Sequence, residues 1–209
     1  MVFFPSERSQ GLEALIRAKL SSQILSTKVD LGDLVVTVSR QAHADFFKLL
    51  RYDTELHFDG LLSVTAIDWM DKCADRFEVV YHLMSYANKF NRIRVKVAVP
   101  ESDAQLPSLV PLYASANFME REVWDMYGVK FSGHPDLRRI LLYDEFEGFP
   151  LRKDFPVQGK QPRIPLRAPE VHNTARNMIR PDLVQINAKK KEQFAVPGNA
   201  SFEQVKYER

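Results

Sequence analysis

The 209-residue sequence holds a single cysteine, Cys73. One thiol allows no disulfide framework within the chain and no CxxC pair for zinc, an iron–sulfur cluster or dithiol redox chemistry. Lone cysteines fit a reducing compartment. Glycine is equally sparse: there are eight, and none fall into the GxGxxG or GxxxxGK[ST] patterns that cradle nucleotide phosphates. The five histidines, His43, His57, His82, His134 and His172, include no HxH, HxxxH or HExxH spacing, and no GxSxG nucleophile turn occurs. No apolar run approaches the roughly 18 residues needed to span a bilayer. The start, "MVFFPSERSQ", lacks the basic segment and long apolar stretch of a signal peptide. Charge of one sign is also missing. A net charge of +2 is too near neutrality to point to nucleic acid.

What is present is an ordinary globular complement, 45% hydrophobic and 27% charged, enough for one core. Leu12, Leu15, Ile16 and Leu20 recur at helical spacing and predict an amphipathic helix over 9–20. "DLVVTVS" (33–39) reads as a strand. A second helix follows, with Ser39 as its cap and Ala42, Phe46, Leu49 and Leu50 on its inner face. Three strand-like runs come next, over 61–69, 76–86 and 92–99, joined by short polar links that predict a meander. In the last run Ile93, Val95, Val97 and Val99 alternate with Arg92, Arg94 and Lys96, so one sheet face is buried and the other is solvated or docked. Pro111 fits the first turn of a third helix. Its apolar stripe runs through Leu112, Ala116, Met119, Val123 and Met126 and stops at Gly128. The expected class is α+β, a mixed or antiparallel sheet of about four strands packed against helices. Residues 1–156 form the core domain. Residues 157–209 carry a net +5 and five prolines, which reads as an extended, irregular C-terminal tail that docks on partners.

The densest chemistry lies in "FMEREVWDMYGVKFSGHPDLRRILL", residues 118–142. Glu122 and Asp125 share a helix face at i and i+3, with Arg121 beside them, an arrangement that suits acid–base catalysis or, more plainly, intrahelical ion pairs. A metal site of Glu120, Glu122, Asp125 and His134 lacks ligand spacing and needs an unannounced fold-back. Trp124 and Tyr127 suit packing against the sheet or an interface hot spot. A stand-alone hydrolase and a nucleic-acid binder using the basic tail remain as rivals. The tail's positives are dispersed apart from Lys189–Lys191.

In register, Glu120, Arg121, Glu122, Asp125, Met126, Tyr127, His134, Arg138, Ile140 and Leu141 resemble the signature of the 30-kilodalton-type subunit of the proton-pumping NADH:quinone oxidoreductase, respiratory complex I. A second block, "EGFPLRKDFP" (147–156), resembles the family's next motif through Gly148, Pro150, Leu151, Arg152, Lys153, Asp154 and Pro156. The resemblance implies a peripheral-arm subunit at the cytoplasmic side of the membrane. It implies no cofactor in this chain, with FMN, iron–sulfur clusters and quinone held by partner subunits. The implied partner is the large quinone-site subunit, with interface or signature residues Glu120, Arg121, Glu122, Trp124, Asp125, Tyr127, His134, Arg138, Arg152, Lys153 and Asp154. Related hydrogenase-type and chloroplast-type complexes carry similar subunits. On this reading the helix-end acids and downstream arginines form a mostly buried network, partly within the chain and partly with the quinone-site subunit.

Overall fold

The structure, a computed structural model, describes residues 7–88, 90–158 and 161. All fall within Met1–Arg163, the first of two units into which the chain divides. The expected tail lies almost wholly outside the described residues.

The elements run α1 (Glu7–Leu20), β1 (Ile24–Asp30), β2 (Asp33–Val38), α2 (His43–Tyr52), β3 (Gly60–Asp68), β4 (Phe77–Ser85), β5 (Asn91–Val99), β6 (Gln105–Pro107), α3 (Ala116–Tyr127) and β7 (Lys130–Ser132). Five strands form a mixed sheet in the order β1-β2-β5-β4-β3, and β6 pairs with β7 in a small parallel pair. The meander β3-β4-β5 is antiparallel as its short polar links predict. β2 joins it in parallel, with Leu34 opposite Ile93 and Val38 opposite Val97. The class is α+β as expected, with five strands where about four were anticipated.

The additional strand is β1. Its sequence, "ILSTKVD", has no clean alternation. A register shift between Ile24 and Ser26 interrupts its pairing with β2, and that irregularity hides the strand from a period-2 reading.

One face of the sheet carries the core. Ile93, Val95, Val97 and Val99 are all buried, together with Phe77, Val79, Tyr81 and Leu83 of β4. Each such side chain contributes about 1.5–3 kcal/mol relative to exposure. On the opposite face Lys96 pairs with Glu78 at 3.0 Å. Arg94 Nε–H donates to His82 Nε2 at 3.1 Å, which leaves Nδ1–H to donate to Ser63 Oγ at 2.9 Å. The registers place Val35 beside Arg94 and Val80 beside Lys96. Both valines are buried there, beside long charged side chains of the kind whose stems cover apolar surface.

Two helices differ from expectation. Ser39 precedes a 3-10 turn (Arg40–Ala42) without making a side-chain cap, and α2 begins only at His43. His43, Phe46, Phe47 and Leu50 are buried, Ala42 packs against the core from the preceding turn, and Leu49 is exposed, so of the expected inner face only Leu49 gives way, to His43 and Phe47. His43 Nε2 meets the Tyr81 hydroxyl at 3.0 Å, and burial lowers its pKa to about 4, so it is neutral. The third helix spans 12 residues and excludes Pro111. Residues 109–116 instead make successive turns, with Leu112 and Tyr113 N–H both donating to Leu109 O. These turns aim Tyr113 inward, where its hydroxyl donates to Phe58 O at 2.7 Å. Gly128 ends α3 in the left-handed region at φ 79°, as its position predicts.

Candidate functional site: a charged joint behind the third helix

Asp125 faces away from solvent near the end of α3 and is fully buried. Its Oδ1 accepts from Arg139 Nη1 at 2.7 Å. Its Oδ2 accepts three successive backbone N–H groups, from Ile140 at 3.2 Å and from Leu141 and Leu142 at 2.9 Å each. Burial alone would raise this carboxyl, but the amides and the guanidinium outweigh it and hold it below the usual carboxylate range. Arg139 is itself enclosed. It lies over the rings of Trp124, Phe146 and Phe149 at 5.7–5.8 Å and donates to the carbonyl of Phe146 at 2.8 Å. Asp125 is thus the pin for the chain that leaves the signature.

Glu120 is also fully buried, but it has no cationic partner among the described residues. Its oxygens accept from Ser108 Oγ at 2.6 Å and Leu109 N–H at 2.7 Å. Burial pushes its pKa up to about 7, against the opposing pull of those two donors. It ties α3 to the turns that precede it.

A second cluster centres on Arg76, at the start of β4. Its guanidinium contacts Asp68 at 3.1 Å, Glu101 at 2.5 Å and Asp154 at 2.6 Å. Asp68 also accepts from the backbone N–H of Lys153 at 2.9 Å and of Met70 at 3.0 Å. Burial works against its ionisation, yet Arg76 and these amides hold it below the usual range. Arg152 Nε donates to Tyr127 O at 2.6 Å, and its guanidinium lies over Phe149 at 4.5 Å and Phe77 at 5.0 Å. The second block is therefore fastened to the end of α3 and to the β3–β4 hairpin together.

The remaining signature residues divide. His134 Nδ1 accepts from Asp136 N–H at 3.0 Å, which fixes its Nε2–H as donor to Asn117 O at 3.1 Å. Arg121 donates to the carbonyls of Arg138 and Arg139 at 3.1 and 3.0 Å. Arg138 is exposed and, among the described residues, pairs only locally, with Asp136 at 2.9 Å. Trp124 and Tyr127 are half-buried, and Tyr127 packs on the core. Glu122 is exposed. No ion pair joins residues of α3 to one another among the described residues, so the expected intrahelical pairs of Arg121, Glu122 and Asp125 are replaced by contacts to the following loop.

Sequence reasoning found Asp125 and its tie to the downstream arginines, but singled out Arg138 among them. Arg139, not Arg138, turns inward. Asp68 and Arg76 went unnoticed; the available signal was a pair of opposite charges flanking the turn between two apolar strands. Among the described residues no group of three or more His, Cys, Asp or Glu is placed to hold a metal. Glu120, Glu122, Asp125 and His134 are not brought together: Glu120 faces Ser108, Asp125 faces Arg139, His134 faces Asn117, and Glu122 faces solvent. An open groove of about 830 Å³ lies between the β1–β2 end of the sheet and β6, lined by Leu25, Arg40, Asp103 and Gln105 among others and by none of the signature residues.

Residues 36–161 match the protein family described as "Respiratory-chain NADH dehydrogenase, 30 Kd subunit". The chain is 46% identical to the C-type subunit of NADH-quinone oxidoreductase from Rhodobacter capsulatus, over 79% of this chain and 80% of that one. It is 45% identical to the protein of the same name from Trichlorobacter lovleyi, over 74% and 93%. A trypsin-resistant fragment of Nqo5 superposes with a TM-score of 0.52 at 33% identity, covering 61% of this chain and 99% of the fragment. A chain of the membrane-bound sulfane sulfur reductase, an archaeal respiratory membrane complex, shares the fold at a TM-score of 0.63 and 22% identity, covering 95% of this chain and 99% of that one.

Proposed function

Since the chain belongs to the 30 kDa subunit family of the respiratory-chain NADH dehydrogenase, and so is part of a multisubunit oxidoreductase, we propose that it serves that complex as architecture. The complex moves electrons from NADH through FMN and iron–sulfur centres to a quinone and couples this to proton translocation. This chain holds none of those groups. It docks on the quinone-site subunit and is kept at the cytoplasmic face of the membrane by its partners. No described helix is long and apolar enough to cross a membrane.

One observation carries this reading. The acids and bases that make the signature look catalytic are occupied in holding backbone: Asp125 on three amides, Glu120 on one, Arg121 and Arg152 on carbonyls. A general acid or base needs a substrate within hydrogen-bond reach, and these groups face the chain's own loops. The fold, shared with a sulfane sulfur reductase chain, does not choose the electron donor. The 42–48% identities to NADH-quinone relatives favour NADH over the hydrogenase-type alternative.

The test is replacement in the cell. Arg152→Ala should lower the amount of assembled complex and membrane NADH:quinone activity in parallel, while the isolated chain stays folded. A variant at Glu120 or Asp125 that assembles at wild-type level yet transfers no electrons would overturn the architectural role. Turnover of a substrate by the purified chain with an added divalent metal would instead favour a hydrolase.

A further inference from the structure

Residues 138–148 are held from beneath through backbone groups, with Leu142 and Phe146 half-buried and the other large apolar side chains turned outward. Asp125 grips the amides of 140–142 and Arg139 grips the carbonyl of Phe146, so the loop is held in one shape from beneath. Yet Leu141 is 63% exposed, with Ile140 and Tyr143 also exposed. Phe118, 63% exposed, extends the strip: it lies 5.9 Å from the guanidinium of Arg121, which binds the carbonyls of 138 and 139. Scattered surface leucines need no explanation. A pinned loop that shows solvent two adjacent aliphatic side chains and one aromatic one, beside a second aromatic from α3, does, because preorganisation of an apolar strip lowers the ordering cost of binding.

The charge beside the strip narrows the partner. Asp144, Glu145 and Glu147 are exposed, and none makes an ion pair among the described residues, while Arg139 is consumed inward by Asp125 and the exposed Arg138, at the start of the loop, is paired with Asp136. The face is apolar with an acidic rim.

We propose that this loop face, Phe118 with Ile140–Glu147, is the docking surface for a basic segment with apolar side chains, supplied by a neighbouring subunit of the complex. The proposal rests on the subunit reading above. Leucine and phenylalanine anchors enter the partner's apolar side, and its lysines or arginines meet the three carboxylates, which fix register more than they add affinity.

Zero-length carbodiimide coupling of the purified complex containing the full chain tests it, read by mass spectrometry. Asp144, Glu145 or Glu147 should couple to lysines of another subunit. Leu141→Ser and Glu145→Lys, both at exposed positions, should each reduce incorporated chain at least tenfold while leaving the melting temperature of the isolated chain unchanged. If Leu141→Ser unfolds the chain, Glu145→Lys decides alone. Absence of those couplings together with wild-type incorporation of the variants overturns the docking surface and leaves the subunit reading standing. A wild-type chain that never enters the complex overturns that reading and this one together. A dimer of the isolated chain broken by Leu141→Ser assigns the face to a second copy and also overturns the proposal.

Discussion

Glu120 and Asp125 are five positions apart on one helix, both buried, and they respond to pH in opposite directions. In the folded chain Glu120 titrates at about 7 against an ordinary value of 4.5. Between those values the folded state holds a proton that the unfolded state has released, so stability falls as pH rises through that window and is level above it. The shift corresponds to about 3 kcal/mol. Glu120→Gln should flatten the dependence between pH 5 and 7, measured by urea denaturation across that range. Asp125 is held below its ordinary value of 3.8, so its contribution is complete above that value and is lost as pH falls through the depressed one. Asp125→Ala leaves Arg139 charged, largely buried and unpaired, with side-chain exposure of only 12%. It should cost about 3–5 kcal/mol in the same assay at pH 7. These roles were only half legible in the sequence. The signature announces the two acids, but the choice between Arg138 and Arg139 depends on which way a loop without periodicity turns.

At the scale of elements, the end of α3 is the tightest point. A Cβ on Gly128 would lie 2.5 Å from Arg152 Nη2 and 2.6 Å from a ring carbon of Phe149, at a φ of 79°. Gly128→Ala should therefore combine left-handed strain with displacement of the second block, a loss of about 2–4 kcal/mol in thermal or urea unfolding. The glycine stop, the strands β2 to β5 and the first helix were all readable, because their patterns are local. What escaped was set by distant groups. β1 is defined by its partner β2 more than by its own alternation. The start of α3 is fixed by Tyr113 reaching the carbonyl of Phe58, 55 positions away, where the apolar spacing from Leu112 suggested helix.

For the whole molecule, Arg76 joins three stretches: the hairpin through Asp68, the turn after β5 through Glu101, and the second block through Asp154. Arg76→Ala should destabilise the chain by about 3–5 kcal/mol, chiefly through the stranded Asp68, whose side chain is only 2% exposed. It should also speed hydrogen exchange at the Lys153 amide, which Asp68 holds. A chain in which the exchange of that amide is unaltered would show that the second block stays in place without Arg76. No local reading could have assembled this cluster, since Asp68 and Lys153 are 85 positions apart.

The parallel seam between β2 and β5 also dictates an order of events during synthesis. Leu34 must wait for Ile93, 59 residues later, before its strand has a second neighbour. At about 5–20 residues per second, a growing chain therefore spends about 3–12 seconds with the apolar run "DLVVTV" paired on one side only. Until the meander is complete, that strand is an adhesive edge. A ribosome stalled between residues 40 and 90 should consequently display a nascent chain that binds chaperones more avidly than one released after residue 100.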